Sequence, residues 1–247
     1  MVATQNEIPA APEIDFSTFG PVERKPVSRI QKFVASFLHR NWVTIPHVTH
    51  HDEADVTDLE ERRRALFSKD QVKITPVPLI VKAIALALRE FPQFNVSLDA
   101  KSGDILQKQY VHIGVAVDTP KGLLVPVVPN CDSKSVLEIS AEIQSLSEKA
   151  RTKGLSNQEM SGGCITLTSL GHIGGTGFTP IVNAPEVAIL GVCRARQQPF
   201  RGEGGGIIWR QMLPLSLSYD HRVINGADAA RFCRFIAQTL SSPALFD

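Results

Sequence analysis

Leu213-Pro-Leu-Ser-Leu-Ser-Tyr-Asp-His-Arg-Val-Ile-Asn-Gly226 is the stretch that decides the fold. Leu213, Leu215, Leu217 and Tyr219 alternate at period two, which predicts a buried strand. That strand runs directly into Asp220-His221-Arg222. Beyond Gly226, the residues Ala229, Phe232, Cys233, Ile236 and Leu240 recur at helical spacing and predict a terminal helix. The tight turn between strand and helix aims the imidazole of His221 into a cleft. A histidine that only caps the sheet would stand in the same place, so spacing alone leaves both readings open.

Working outward, helices and strands are mixed without a regular βαβ rhythm. Ser28 is an N-cap ahead of an apolar stripe of Ile30, Phe33, Val34, Phe37 and Leu38. Pro46 lies in an extended segment, polar and acidic through Asp55, and a short charged helix is expected over about 58–67. Ile80, Ala83, Ile84, Ala87, Leu88 and Phe91 mark a strongly periodic helix stopped by Pro92. Val111, Ile113, Val115 and Val117 alternate as a strand. The turn Asp118-Thr-Pro-Lys-Gly122 then returns the chain as a hairpin through Leu123–Val128. Ser135 and Glu138 form a capping box that opens a helix striped by Ile139, Ile143, Leu146 and Ala150. Strands are expected over 164–170 and 187–192, and Gly202–Gly206 closes a surface hairpin. The pattern predicts an α+β domain, a largely antiparallel mixed sheet with flanking helices and no internal repeat. Residues 1–20, with alternating Pro and Ala, are expected to be a linker end, leaving 21–247 as one domain.

Composition narrows the function. The 247 residues carry a formal net charge of +1, so no basic field holds nucleic acid. No apolar run approaches the roughly 18 to 20 residues of a membrane helix, and the start fits neither a signal nor a transit peptide. A cytoplasmic, bacterial location is the expectation. Cys131, Cys164, Cys193 and Cys233 are dispersed with no C-x-x-C pair, and are expected to be reduced packing residues.

A second informative stretch is Ile165-Thr-Leu-Thr-Ser-Leu-Gly-His-Ile-Gly-Gly175, with hydroxyls of Thr166, Thr168 and Ser169 at a strand end. They either line a site or satisfy the turn's own backbone. Its glycines do not fit a dinucleotide fingerprint. Taken together, 220–232 resembles the active-site motif of the dihydrolipoyl acyltransferases, which usually reads D-H-R-V-I-D-G. The chloramphenicol acetyltransferases share the core H-x-x-x-D-G. Leu38–Trp42, Ile45–Thr49, Tyr110–Pro120 and Pro180–Gly191 match as well, so the resemblance runs through about 14–242. Gly226-Ala-Asp-Ala-Ala-Arg-Phe232 is similar to acetyl-transferring members, whereas succinyl-transferring ones tend to read G-R-E there.

The resemblance implies the chloramphenicol acetyltransferase-like fold and transfer of an acetyl group between dihydrolipoamide and coenzyme A, at the core of a pyruvate dehydrogenase-type complex. It implies His221 as general base on the thiol and Thr168 as donor to the oxyanion. Asn225 stands where most of the family has Asp, and Arg63 matches the arginine that pairs with that carboxylate. Asp220 belongs to the same motif as a supporting residue. The implied assembly is a homotrimer with sites between subunits. Leu245 and Phe246 are expected to dock on a neighbouring trimer in a larger cubic core. The implied partners are coenzyme A as substrate, a lipoyl group carried on another domain, and the dehydrogenase and dihydrolipoamide dehydrogenase components. No membrane partner is implied. Which basic residues meet the coenzyme A phosphates is not readable.

His47, His50 and His51 cluster near Asp52, but a third ligand at suitable spacing is not evident, and no metal is expected. His112 and His172 read as local structural residues. The alternatives are a related acyltransferase with another acyl group or acceptor, and a non-catalytic scaffold subunit. Retention of both His221 and Thr168 argues against the scaffold.

Overall fold

The computed structural model describes residues 12–70, 74–99, 101–120 and 122–242. Ser28 and Gln31 exchange the reciprocal bonds of a capping box and open α1 (Arg29–Thr44). β1 (His47–Asp55), α2 (Thr57–Asp70) and α3 (Pro76–Glu90) follow. The next strands are all short: β2 (Val96–Leu98), β3 (Ile105–Gln107), β4 (Ile113–Val115), β5 (Val117–Thr119), β6 (Gly122–Leu124) and β7 (Val127–Val128). α4 (Val136–Thr152) begins at the Ser135–Glu138 capping box. β8 (Ile165–Ser169), β9 (Ala188–Val192), β10 (Arg196–Arg201), β11 (Ile207–Asp220) and α5 (Gly226–Leu240) complete the chain.

The main sheet runs β1-β11-β9-β8-β4-β7, with β10 also on β11. β8 lies parallel to both β4 and β9, and the other pairs are antiparallel. This is the mixed, largely antiparallel sheet the sequence predicts. One face carries α3, α4 and α5, and the core forms there around Ile84, Leu88, Ile139, Leu167, Leu190, Leu215 and Phe232. Phe232 stacks on Phe94 with ring centroids 4.0 Å apart. All four cysteines are free and buried. Burial pushes Cys131 and Cys233 up to about 12.

One expectation is corrected and two are made more specific. The segment after Pro46 is a nine-residue strand, paired along its whole length with β11. The expected 111–128 hairpin is split: β4 pairs β7 in the main sheet, whereas β5 and β6 form a separate ribbon. Lys121, within its turn, lies outside the described residues. The stripe on α1 is helical as predicted but is not buried by the described residues: Phe33 is 71% exposed and Ile30 47%. Residues 12–27 are exposed, and Phe19, Val22 and Val27 add to that uncovered apolar surface. Leu245 and Phe246 lie outside the described residues, as do the first eleven residues.

The second face of the sheet is covered by the irregular segment 171–186. Val182 packs there with Ile45 and Ile189. Val182 N donates to His47 Nε2 at 2.9 Å, so the other ring nitrogen, Nδ1, carries the proton donated to Ile45 O at 2.8 Å. Both nitrogens of His47 are thereby engaged. Buried Asn41 reaches from α1 to Val182 O at 3.0 Å. Phe178 lies over Gly191, where a Cβ would stand 2.6 Å from the ring.

Candidate active site

β11 ends at Asp220, and the turn beyond it is tied at several points. Asp220 is 3% exposed. Its Oδ1 accepts Arg222 N at 3.0 Å and Arg222 Nε at 2.9 Å, and its Oδ2 accepts the guanidinium at 2.6 Å. This bidentate pairing raises the Arg222 pKa and offsets the burial of the carboxylate. Val223 N and Ile224 N both return to Asp220 O, and His221 N donates to Pro46 O at 3.1 Å. The backbone on both sides of His221 is fixed while its side chain stays exposed. The imidazole makes no hydrogen bond among the described residues, and its nearest ring neighbour is Tyr219, 5.9 Å between centroids. Asp220 holds the turn and does not touch the imidazole.

Asn225 is the N-cap of α5. Its Oδ1 accepts Asp228 N at 2.9 Å and its Nδ2 donates to Asp228 Oδ2 at 2.5 Å. The expected Arg63–Asn225 contact is not among the hydrogen bonds of the described residues: Arg63 bonds Glu60 through Nε and Nη2, and Ile74 O at 2.8 Å. Arg63 meets a nearer carboxylate one helical turn away, and Asn225 meets the orphan N–H groups of its own helix.

Thr168 occupies β8, in a row that crosses the sheet through Gly191 of β9 and Ser216 of β11 to His51 of β1. Its hydroxyl bonds no described residue, whereas Ser169 Oγ accepts Gly171 N at 3.4 Å. His221, just past the end of β11, lies five residues beyond Ser216. At ~4.8 Å per strand and ~3.4 Å per residue, Thr168 and His221 are ~10 Å apart across the sheet and ~17 Å along it, roughly 20 Å in all. A thioester carbonyl and its attacking thiol span far less than that. Within one chain, His221 and Thr168 do not share a substrate.

Three features escaped the sequence reading. A groove of about 930 Å³ beside the covering segment is lined by His51, Phe178, Phe200, Met212, Pro214 and Arg234. His51 Nδ1 meets Ser216 Oγ at 2.9 Å at its edge. His50, Asp52 and Cys233 bring ligand atoms within 4.8 Å of one another, but Arg234 already pairs with the Asp52 carboxylate. The third is a buried carboxyl at Glu186, hinted at only by a lone acid opening an otherwise apolar run (Val187–Val192).

The architecture is that of the chloramphenicol acetyltransferases: one such structure superposes with a TM-score of 0.56 at 14% identity, covering 83% of this chain and 94% of that one. More specifically, residues 19–246 match the model of the 2-oxoacid dehydrogenases acyltransferase (catalytic domain) family, and the chain belongs to it. The Pseudomonas aeruginosa dihydrolipoyllysine-residue acetyltransferase component of pyruvate dehydrogenase complex is 54% identical over 95% of this chain and 43% of its own. Its Azotobacter vinelandii counterpart is 53% identical over 92% of this chain and 36% of its own. The chain thus spans less than half the length of these relatives. A solved structure of Azotobacter vinelandii dihydrolipoamide acetyltransferase, from work on the catalytic role of a serine, a histidine and an asparagine, superposes with a TM-score of 0.92 at 51% identity. It covers 97% of this chain and all of that one. The cubic core of a pyruvate dehydrogenase multienzyme complex superposes equally well, at 52% identity and 97% of this chain.

Proposed function

We propose that this domain moves an acetyl group between dihydrolipoamide and coenzyme A, as the core of a pyruvate dehydrogenase-type complex. The observation that carries the reading is His221: an imidazole with no hydrogen bond among the described residues, on a turn held by Asp220, Arg222 and Pro46. A thiol of pKa about 8.5 costs about 2 kcal/mol to ionise at pH 7. His221 accepts its proton as the sulfur attacks the thioester carbon, a contribution of roughly 10²- to 10⁴-fold. The tetrahedral oxyanion accepts a hydrogen bond from Thr168, worth about 3 to 4 kcal/mol by analogy with other oxyanion donors. Collapse breaks the original carbon–sulfur bond, and the proton held by His221 goes to the departing thiolate.

The roughly 20 Å between His221 and Thr168 in one chain supports a site built from two copies, and so a homotrimer. The uncovered apolar stripe of α1 supports the same reading. Asn225 supports the site as the cap that anchors α5 behind the histidine turn, and Asp220 as the anchor of the turn itself. Arg63 supports it at one remove, by tying α2 to Ile74. The relative with a catalytic histidine and asparagine four residues apart matches the spacing of His221 and Asn225. The lipoyl group arrives on another domain, with residues 1–20 as linker. The dehydrogenase components are partners, and assembly into a cubic core and a cytoplasmic setting complete the proposal. No helix among the described residues is long and apolar enough to cross a membrane.

The test is acetyl transfer from acetyl-coenzyme A to free dihydrolipoamide, with succinyl-coenzyme A alongside. Strong acetyl preference, lost in His221→Ala while the assembly keeps its size, is expected. Thr168→Val should fall further than Thr168→Ser. No transfer with either donor from assembled protein would leave a scaffold.

A further inference from the structure

Bonded to Thr166, two residues before Thr168, lies a buried carboxyl that the proposed chemistry does not use. Glu186 is 5% exposed and sits at the end of the covering segment, just ahead of β9. Its Oε2 accepts the Thr166 hydroxyl at 2.7 Å, and its Oε1 accepts Asn183 Nδ2 at 3.3 Å. The same amide donates to Thr166 Oγ1 at 3.3 Å. Thr166 and Thr168, two residues apart on β8, point to one face of the sheet.

The surrounding backbone is cut to fit this group. A Cβ at Gly163 would stand 2.5 Å from Glu186 Oε1, and one at Gly114 of β4 would stand 2.9 Å from Thr166 Oγ1. Lys108 Nζ, held at 3.2 Å by both Val96 O and Gly163 O, supplies the nearby positive charge. Burial nevertheless pushes the Glu186 carboxyl up to about 7, against the opposing pull of Thr166, Lys108 and Asn183. Apolar side chains of similar volume at 166 and 186 would fill the space without burying a carboxyl. The fold keeps a polar tie one pleat away from the hydroxyl assigned to the oxyanion.

We propose that Glu186 and Thr166 are positioning residues for Thr168: the carboxyl anchors the Thr166 hydroxyl and so fixes where β8 presents the oxyanion donor. The inference rests on the acyltransferase reading and on Thr168 as donor. Such a donor acts at about 2.7 to 3.1 Å from the oxyanion, and a misplacement of ~1 Å costs about 10²-fold. Loss of the anchor shifts the strand by less, so a fall in kcat of about tenfold is expected, with KM for both substrates nearly unchanged.

The experiment is steady-state kinetics with acetyl-coenzyme A and dihydrolipoamide on the assembled protein. The set comprises wild type, Thr166→Val, Thr166→Ser, Glu186→Gln and Thr168→Val, each with its size and melting temperature. Thr166→Val should lose about tenfold in kcat, and Thr166→Ser, which keeps the hydroxyl, should stay within about twofold. Glu186→Gln, which can still accept from Thr166, should fall between them. Equal kcat for the two Thr166 variants overturns the proposal. So does a loss that disappears when the assay is run well below the melting temperature, because the pair is then only a stability element. An inactive wild type overturns the acyltransferase reading itself. An active wild type with a harmless Thr168→Val overturns the donor assignment and the positioning role with it.

Discussion

Replacing Glu186 by Gln should change how stability depends on pH, by an amount that follows from the burial of the carboxyl. In the folded chain that group is raised from 4.5 to about 7. Below pH 4.5 it is protonated in both folded and unfolded chains, and nothing is lost. As pH rises from 4.5 to 7, the unfolded chain ionises while the folded one holds its proton, and stability falls. Above 7 both are ionised and the loss is complete. A rise from 4.5 to about 7 corresponds to about 3 kcal/mol. Gln does not titrate, so the variant should gain about 3 kcal/mol on wild type between pH 4 and pH 8. The contacts of the ionised carboxylate with Thr166, Lys108 and Asn183 are already contained in that raised value, and only the difference between a neutral carboxylic acid and an amide adds a pH-independent offset. For a chain of this size the gain equals a relative rise of roughly 6 to 12 °C in melting temperature. Melting curves of both proteins at fixed concentration, across pH 4 to 8, measure it, and titrating groups remote from Glu186 cancel in the difference. Parallel curves for the two proteins would refute the buried, poorly compensated carboxyl on which the reasoning stands.

Other outcomes can be checked on the same material. Asn225→Ala should cost about 1 kcal/mol by denaturant unfolding, through loss of the α5 cap. Asn225→Asp should keep the cap but set a carboxylate beside Asp228, a smaller loss that added salt relieves. Gly191→Ala should destabilise by about 1 to 3 kcal/mol because its Cβ meets the Phe178 ring at 2.6 Å, and a second change, Phe178→Leu, should recover part of that. Native protein should leave all four thiols unreactive to a disulfide reagent at pH 8, since each is buried and its pKa is pushed up, and denaturant should release all four.

The elements that depend on local chemistry were legible in the sequence. Ser28 and Ser135 cap helices because their hydroxyls satisfy the first free N–H groups. Pro92 ends α3, and the apolar residues of α5 fall on the predicted face. The histidine turn was legible because a strand, a charged turn and a helix follow one another without a gap. What escaped depends on contacts distant in sequence. β1 reads as polar, since its side chains meet Ser216 and Ser218 hydroxyls rather than a greasy core. The Glu186 tie joins residues 20 apart in the chain, through a segment with no periodicity. Asn225 was assigned to Arg63, a residue 162 positions earlier, when its bonds go to the helix it opens. The helix of α1 is legible from its stripe, but what covers that stripe does not lie among the described residues.

The most direct test of the account mixes two inactive proteins. His221→Ala and Thr168→Val chains, unfolded together in equal amounts and reassembled, should mix at random in the proposed trimers. If each site takes its histidine from one chain and its hydroxyl from the next, about one site in four receives both intact residues, and about a quarter of wild-type transfer returns. Each variant reassembled alone stays inactive. A mixture no more active than its parents, with mixed trimers demonstrated, would contradict a site shared between subunits.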